Sequence, residues 1–243
     1  MSGRPANNLL PSIAVAMLLT ATITAEAASL PKPFTADYTF SYDGLQVGEL
    51  QRTLRALGDG KYVYESTSQA SGMIAWFVKD RLIERSVWKW DGSHIKPLEY
   101  LYHHFGGKKE RRVELSFDWK NHVVTNTIDN NPWSMQIPDD ALDKLVYQFS
   151  IMVDLQDHPK ELIYPVADGG QLKTYQLAIV GEEKLQTPLG KLTTVKLTRV
   201  GGAYPITIWC AKELDYMPVR IEQLRDNGSR LRMLIRKIEW KSS

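Results

Sequence analysis

The 243-residue chain carries 30 basic and 28 acidic residues, a formal net charge of +2, with 43% hydrophobic residues. A balance this close to neutral excludes a general nucleic-acid binder, which shows a strong basic excess. The single cysteine, Cys210, excludes an intramolecular disulfide.

The first element in chain order is a leader. Arg4 supplies a positive charge, residues 13–23 (IAVAMLLTATI) are an apolar run, and Ala25-Glu26-Ala27 places small residues where a signal peptidase reads. That order predicts a secretory signal peptide over residues 1–27, cleaved to leave residues 28–243 as a single β-rich domain. Arg4 and Glu26 cancel, so the charge of the remainder stays at +2. The expected destination is the periplasm of a Gram-negative cell, with full secretion as the alternative. After cleavage no apolar stretch approaches the roughly 20 residues a spanning helix needs, so no transmembrane segment is expected.

Beyond the leader, turn signals recur at short intervals. Asp43-Gly44, Asp59-Gly60 and Asp91-Gly92 are hairpin dipeptides. Gly106-Gly107, Asn130-Asn131-Pro132, Asp168-Gly169-Gly170, Pro188-Leu189-Gly190, Gly201-Gly202 and Asp226-Asn227-Gly228 continue the series. The runs between them have strand length, and several alternate. Val113, Leu115, Phe117 and Trp119 share one face, opposite Arg112, Glu114, Ser116 and Asp118. Tyr175, Leu177 and Ile179 form another stripe, as do Met217, Val219 and Ile221, and Leu231, Met233 and Ile235. One segment has helical spacing. After Pro138, the residues Leu142, Leu145, Val146, Phe149, Met152 and Val153 recur at three- and four-residue steps. The spacing predicts a helix over 139–157, capped by Asp139 or Asp140 and closed by His158-Pro159.

These elements predict a mainly β fold: one strongly curved antiparallel sheet, an open half-barrel or barrel-like, with one amphipathic helix packed on or in it. A closed barrel and two packed sheets remain open alternatives.

Several segments resemble an exported bacterial family designated domain of unknown function 3108. They are Ala36-Asp37-Tyr38 with Gly44 and Val47-Gly48-Glu49, Asp80-Arg81 with Glu84-Arg85-Ser86, and residues 113–119. Further on are residues 164–170, Glu182 with Thr187-Pro188-Leu189-Gly190, and residues 214–222. The likeness runs from about Phe34 to Trp240 in matching order. It implies an exported β-rich domain and brings no activity, cofactor or catalytic set with it.

Residues 73–78 (MIAWFV) are apolar throughout. Met73, Trp76 and Phe77 stand at helical spacing, as a short helix at the lip of a bent sheet would need; a buried core segment is the plainer reading. In residues 98–105, Tyr100, Tyr102 and His104 share one face. With Trp133 they could wall a ligand groove, or simply build a β core. Met73, Trp76, Phe77, Tyr100, Tyr102 and Trp133 are therefore the candidate ligand-binding residues.

Catalytic and metal signals are weak. His103 and His104 point to opposite faces of a strand, and His94, His122 and His158 lack ligand spacing, so no metal is expected. There is no G-x-S-x-G elbow. Ser93-His94-Ile95-Lys96 matches a bare S-x-x-K pattern without its companion motifs, and Cys210 alternates with Ile206 and Ile208 as a small core residue does. Asp139, Asp140 and Asp143 form an acidic cluster that helix capping largely explains. Lys108-Lys109 with Arg111-Arg112 reads as a solvated hairpin tip that could also meet anionic lipid or polysaccharide. No catalytic residue and no cofactor are assigned.

The expectation is a non-enzymatic exported domain that binds a lipid or other amphipathic envelope molecule in a groove of the curved sheet. An interaction module for envelope proteins, and an envelope hydrolase with an unrecognised site, are the alternatives.

Overall fold

The computed structural model describes residues 30–76, 78–92 and 94–241. The expected leader, Phe77 and Ser93 lie outside the described residues, as do the side chains of Met73 and Ile74.

Among the described residues, fifteen strands form one sheet in two arms. The first arm is β1 (Phe34–Tyr42), β2 (Leu45–Gly58), β3 (Lys61–Ala70), β4 (Arg81–Trp90), β5 (Ile95–Phe105), β6 (Arg111–Asp118), β7 (Val123–Ile128) and β8 (Asn131–Gln136). A short β9 (Leu142–Asp143) and the helix α1 (Val146–Asp154) connect it to the second arm. That arm is β10 (Glu161–Asp168), β11 (Gln171–Thr187), β12 (Gly190–Val200), β13 (Ile206–Ala211), β14 (Met217–Leu224) and β15 (Arg230–Trp240). Each arm is an antiparallel meander in which consecutive strands pair; most connections are short turns, and the longest, residues 71–80 between β3 and β4, carries a 3-10 turn. Pairing of β1 with β15 fuses the arms, leaving β8 at one edge and β9 at the other. The pairing of β9 with β10 is parallel.

The sheet curls instead of running flat. Register shifts interrupt the ladders at Asp37/Tyr38, Phe40/Ser41, Ala56/Gly58, Val87/Trp88, Ile179/Gly181 and Trp209/Cys210. Each shift adds bend and twist. The result is a half-barrel, one of the expected forms: among the described residues, one curved, unclosed sheet, antiparallel except for the β9–β10 pair, around a single α-helix.

The helix fills the apolar part of the hollow. Val146, Tyr147, Phe149, Ile151, Met152 and Val153 are all buried. Phe149 is wedged against Trp88 at 5.3 Å and Tyr64 at 5.5 Å between ring centroids. Tyr62 stacks on Trp88 at 4.7 Å. Four aromatic rings are therefore spent on this core. The concave face, expected to be an open apolar groove, is covered along this stretch by the chain's own helix.

The helix differs from its expected limits. Residues 142–143 form β9, and α1 begins at Val146. Asp139 and Asp140 are exposed and cap nothing; Asp139 instead pairs with His122 at 3.0 Å. The capping carboxylate is that of Asp143, which accepts the backbone N–H of Leu145 and of Val146, both at 2.8 Å. Asp143 wins because Leu142 pairs with Val166 on β10, which sends the chain inward before the helix can start. At the other end His158 adopts a left-handed conformation (φ 50°) and closes the helical segment as expected.

The alternating stripes behave as read. Val113, Leu115 and Phe117 are buried, and so are Tyr175, Leu177, Met217, Val219, Met233 and Ile235. Cys210 is fully buried, and burial pushes its thiol well above the ordinary range. Thiol reagents should leave the native protein unmodified and label it stoichiometrically in denaturant; rapid native labelling would contradict this packing.

Candidate functional site

Strand register brings inward-facing side chains into rows. One row crosses the whole first arm: Phe34, Leu54, Tyr64, Ser86, Tyr100, Leu115, Asn126 and Trp133. The next runs Ala36, Arg52, Ser66, Glu84, Tyr102 and Val113. The interior is thus divided. Tyr64 and Trp88 pack against Phe149 of α1 and Arg52 donates to Gln148 of the same helix, whereas Ser66, Glu84 and Asn126 add polar groups to these rows.

The polar side opens into a cavity of about 250 Å³ between the two arms. Tyr100, Tyr102, Val113, Leu115 and Asn126 form one wall. Lys144, Ala167, Asp168, Gly169 and Lys173 form the other, with Arg111 at the exposed rim. Asp168 accepts hydrogen bonds from Lys173 Nζ and the Tyr175 hydroxyl, each at 2.8 Å, and Lys144 Nζ stands 4.0 Å away. Burial alone would raise its pKa, but the lysine and tyrosine contacts outweigh burial and hold it below the usual carboxylate range. Lys144 also lies over the Tyr102 ring at 5.7 Å. Three cations against one carboxylate leave the cavity positive.

Asn126 is fully buried, and neither its Nδ2 nor its Oδ1 has a hydrogen-bond partner among the described residues. An unpaired buried amide of this kind costs roughly 1–3 kcal/mol. Behind the wall, Tyr100 donates to Glu84 at 2.7 Å, and Ser86 donates to Asp143 at 2.5 Å. Asp143 is raised to about 7, because burial outweighs the hydrogen bonds from Ser86, Val146 and Leu145. Arg52 is buried with its guanidinium donating to Gln148 Oε1 at 2.6 Å, while Nε and Nη1 are unpaired.

The outer edges of the two arms meet beside the cavity. Trp133 Nε1 donates to the carbonyl of Gly170 at 3.3 Å. Gly170 has φ +77°, and a Cβ there would sit 1.9 Å from the Trp133 ring. Gly170→Ala should cost about 1–2 kcal/mol for the left-handed backbone alone. It should also push Trp133 off the turn, so that the amides of β8 exchange hydrogen faster while those of β1 to β3 do not change.

The six candidate residues divide. Tyr100, Tyr102 and Trp133 come together at or beside the cavity. Met73 and Trp76 lie on a 3-10 turn, Gly72–Trp76, where Trp76 is 82% exposed. That turn and the Lys108-Lys109 hairpin tip occupy the same end of the sheet as Arg111, since Gln69, Arg81 and Phe105 are paired across neighbouring strands there. Sequence reading missed Asn126, Lys144, Asp168 and Lys173. Only Asn126 left a local sign, a polar residue at an inward position of β7. His103 contacts Glu110 at 2.5 Å and His104 lies 3.7 Å from Asp80, and no metal-holding cluster occurs among the described residues. No helix among them is long and apolar enough to cross a membrane.

Fold and cavity together define a half-barrel β protein with a helix-filled core and a polar, positively charged end. The chain belongs to the DUF3108 family, described as a protein of unknown function, whose model matches residues 37–236. No curated protein matches the sequence. Among solved structures it is similar to a beta-barrel-like DUF1849 protein from Brucella abortus. The TM-score is 0.60 at 9% identity, over 88% of this chain and all (100%) of that one. A protein from Parabacteroides distasonis designated a lipoprotein matches with TM-score 0.35 and 10% identity, over 86% of this chain and 97% of that one. A Bacteroides fragilis protein designated exported, with a YmcC-like fold, matches with TM-score 0.34 and 9% identity, over 88% and 99%. The first of these supports the half-barrel architecture and nothing beyond it.

Proposed function

We propose that the protein is an exported, non-enzymatic domain that binds an amphipathic molecule of the cell envelope, with the ligand's polar group in the cavity between the arms. The observation that carries this reading is the cavity itself. It combines tyrosine and aliphatic walls with a cationic rim, as ligand sites combine apolar lining with a few polar groups. Its volume of about 250 Å³ is too small for a whole lipid, so a head group enters and the apolar part stays outside. Exposed Trp76 stands at the same end of the sheet, where an apolar tail or a lipid surface would lie. The leader pattern supports export to the periplasm, and neither a nucleic acid nor a cofactor enters the reading.

Native mass spectrometry of protein gently purified from a periplasmic extract tests it. The expected result is a small-molecule adduct, released on denaturation and much reduced in Tyr102→Trp, which fills the cavity. Consistently bare protein that is folded by circular dichroism would overturn the reading.

The 82% exposure of Trp76 also favours a second reading, an interaction module for envelope proteins. Cross-linking in cells from position 76 should then capture the same protein partner repeatedly, with no small molecule bound.

A further inference from the structure

Resting on that binding reading, we infer that the cavity between the arms selects a phosphorylated polyol, an anionic phosphate beside free hydroxyl groups. Two independent features of the cavity specify the two halves of such a ligand.

The first is Asn126. Its side chain is 0% exposed and lines the cavity, and both amide atoms lack a partner among the described residues. Nδ2 can only donate and Oδ1 can only accept. A ligand that satisfies both must offer an acceptor and a donor side by side. A pair of neighbouring hydroxyls does so, since each hydroxyl both donates and accepts. A simple anion without hydroxyls satisfies Nδ2 alone, and an alkyl chain satisfies neither atom.

The second is the charge arrangement. Lys144 and Lys173 stand on the opposite wall, tethered by Asp168, and Arg111 lies at the rim. Asp168 neutralises one of the three cations and leaves two positive charges to face a ligand. The tether matters for geometry, because it holds two flexible ammonium groups at the same place before a ligand arrives. Tyr102, half-buried between the lysine wall and Val113, supplies a flat face for the carbon skeleton. Asn126 and the lysines lie on facing walls, so one ligand must present hydroxyls to one side and phosphate to the other.

Such a group reaches the envelope in two forms, as the head of a polyol phospholipid or as a free polyol phosphate. Calorimetric titration of the purified protein with glycerol 1-phosphate, inorganic phosphate, glycerol, dihexanoyl phosphatidylglycerol and dihexanoyl phosphatidylcholine separates them. Glycerol 1-phosphate and the phosphatidylglycerol should each bind roughly tenfold or more tightly than glycerol, phosphate or the choline lipid. Equal affinity for the free and lipid-borne groups assigns the site to the head alone; a clear preference for the lipid assigns it to the membrane form.

Asn126→Leu should erase the preference for glycerol 1-phosphate over inorganic phosphate. Lys144→Met, at a partly exposed position where folding is not at stake, should weaken every phosphate ligand by roughly tenfold and reduce the salt dependence. Absence of polyol-phosphate binding, while native mass spectrometry finds another amphiphile displaced by Tyr102→Trp, would overturn this inference and leave the binding reading standing. Absence of both would overturn the two together. A polyol preference that survives in Asn126→Leu would also overturn the assignment.

Discussion

Phe149→Ala should lower the unfolding free energy by about 3–5 kcal/mol, the range for deleting a buried aromatic ring. Phe149 is fully buried at the centre of the hollow, with Trp88 and Tyr64 against its ring. Its neighbours cannot close the gap. Trp88 and Tyr64 are rooted in a hydrogen-bonded sheet whose curvature is set by bulges, and the helix that carries Phe149 is anchored by Asp143 at its start. At about 2–4 °C per kcal/mol for a domain of this size, the midpoint should fall by roughly 6–20 °C. Phe149→Leu, which keeps most of the volume, should lose far less. Trp76→Ala, at an exposed site, should stay within about 0.5 kcal/mol of the wild type. Urea denaturation of the three variants reads the differences directly. A loss below about 1 kcal/mol for Phe149→Ala would mean that α1 does not seal the hollow.

Asp143 should make stability depend on pH, and Asp143→Asn should remove that dependence. The carboxyl is raised from 3.8 in the unfolded chain to about 7 in the fold, chiefly by burial. Well below pH 4 both states carry the proton, and the favourable contribution is fully present. As pH rises from about 4 to 7, the unfolded chain releases the proton while the folded one retains it. The folded state then binds more protons, so stability falls across this window and levels off above it. The loss is on the order of a few kcal/mol. Asparagine keeps an oxygen for the N–H groups of Leu145 and Val146 and offers Ser86 an amide donor, yet cannot ionise. The two proteins should match near pH 4, and the variant should be the more stable at pH 8. Other shifted carboxyls, such as those of Asp154, Asp168 and Glu222, are common to both proteins and cancel in the comparison. Parallel pH profiles would show that Asp143 does not titrate in this window.

The antiparallel meander was legible because it depends on local signals. An open half-barrel, a closed barrel and two packed sheets share those signals, and only the long-range strand pairing decides among them. Glycine-containing turns end one strand and reverse the chain into the next, and alternation at residues 113–117 shows which face is buried. The start of the helix was less so. Three aspartates precede it, and each could cap by type. Only the pairing of Leu142 with Val166 selects Asp143. The site was half legible. Tyr100 and Tyr102 share a face by alternation, but the wall opposite them comes from residues 144 and 167–173, remote in sequence and brought in by β9 and the β10–β11 turn.

The sequence by itself determined that this chain builds antiparallel β-structure with one amphipathic helix, because turn chemistry and side-chain periodicity act within a few residues. It also determined which faces are buried. Tertiary structure decided how the hollow is used. Folding α1 across the sheet fills the apolar end, and meeting of the two arms at Trp133 and Gly170 encloses a polar cavity around an unpaired amide. Both outcomes depend on contacts between strands far apart along the chain, which no short-range pattern encodes.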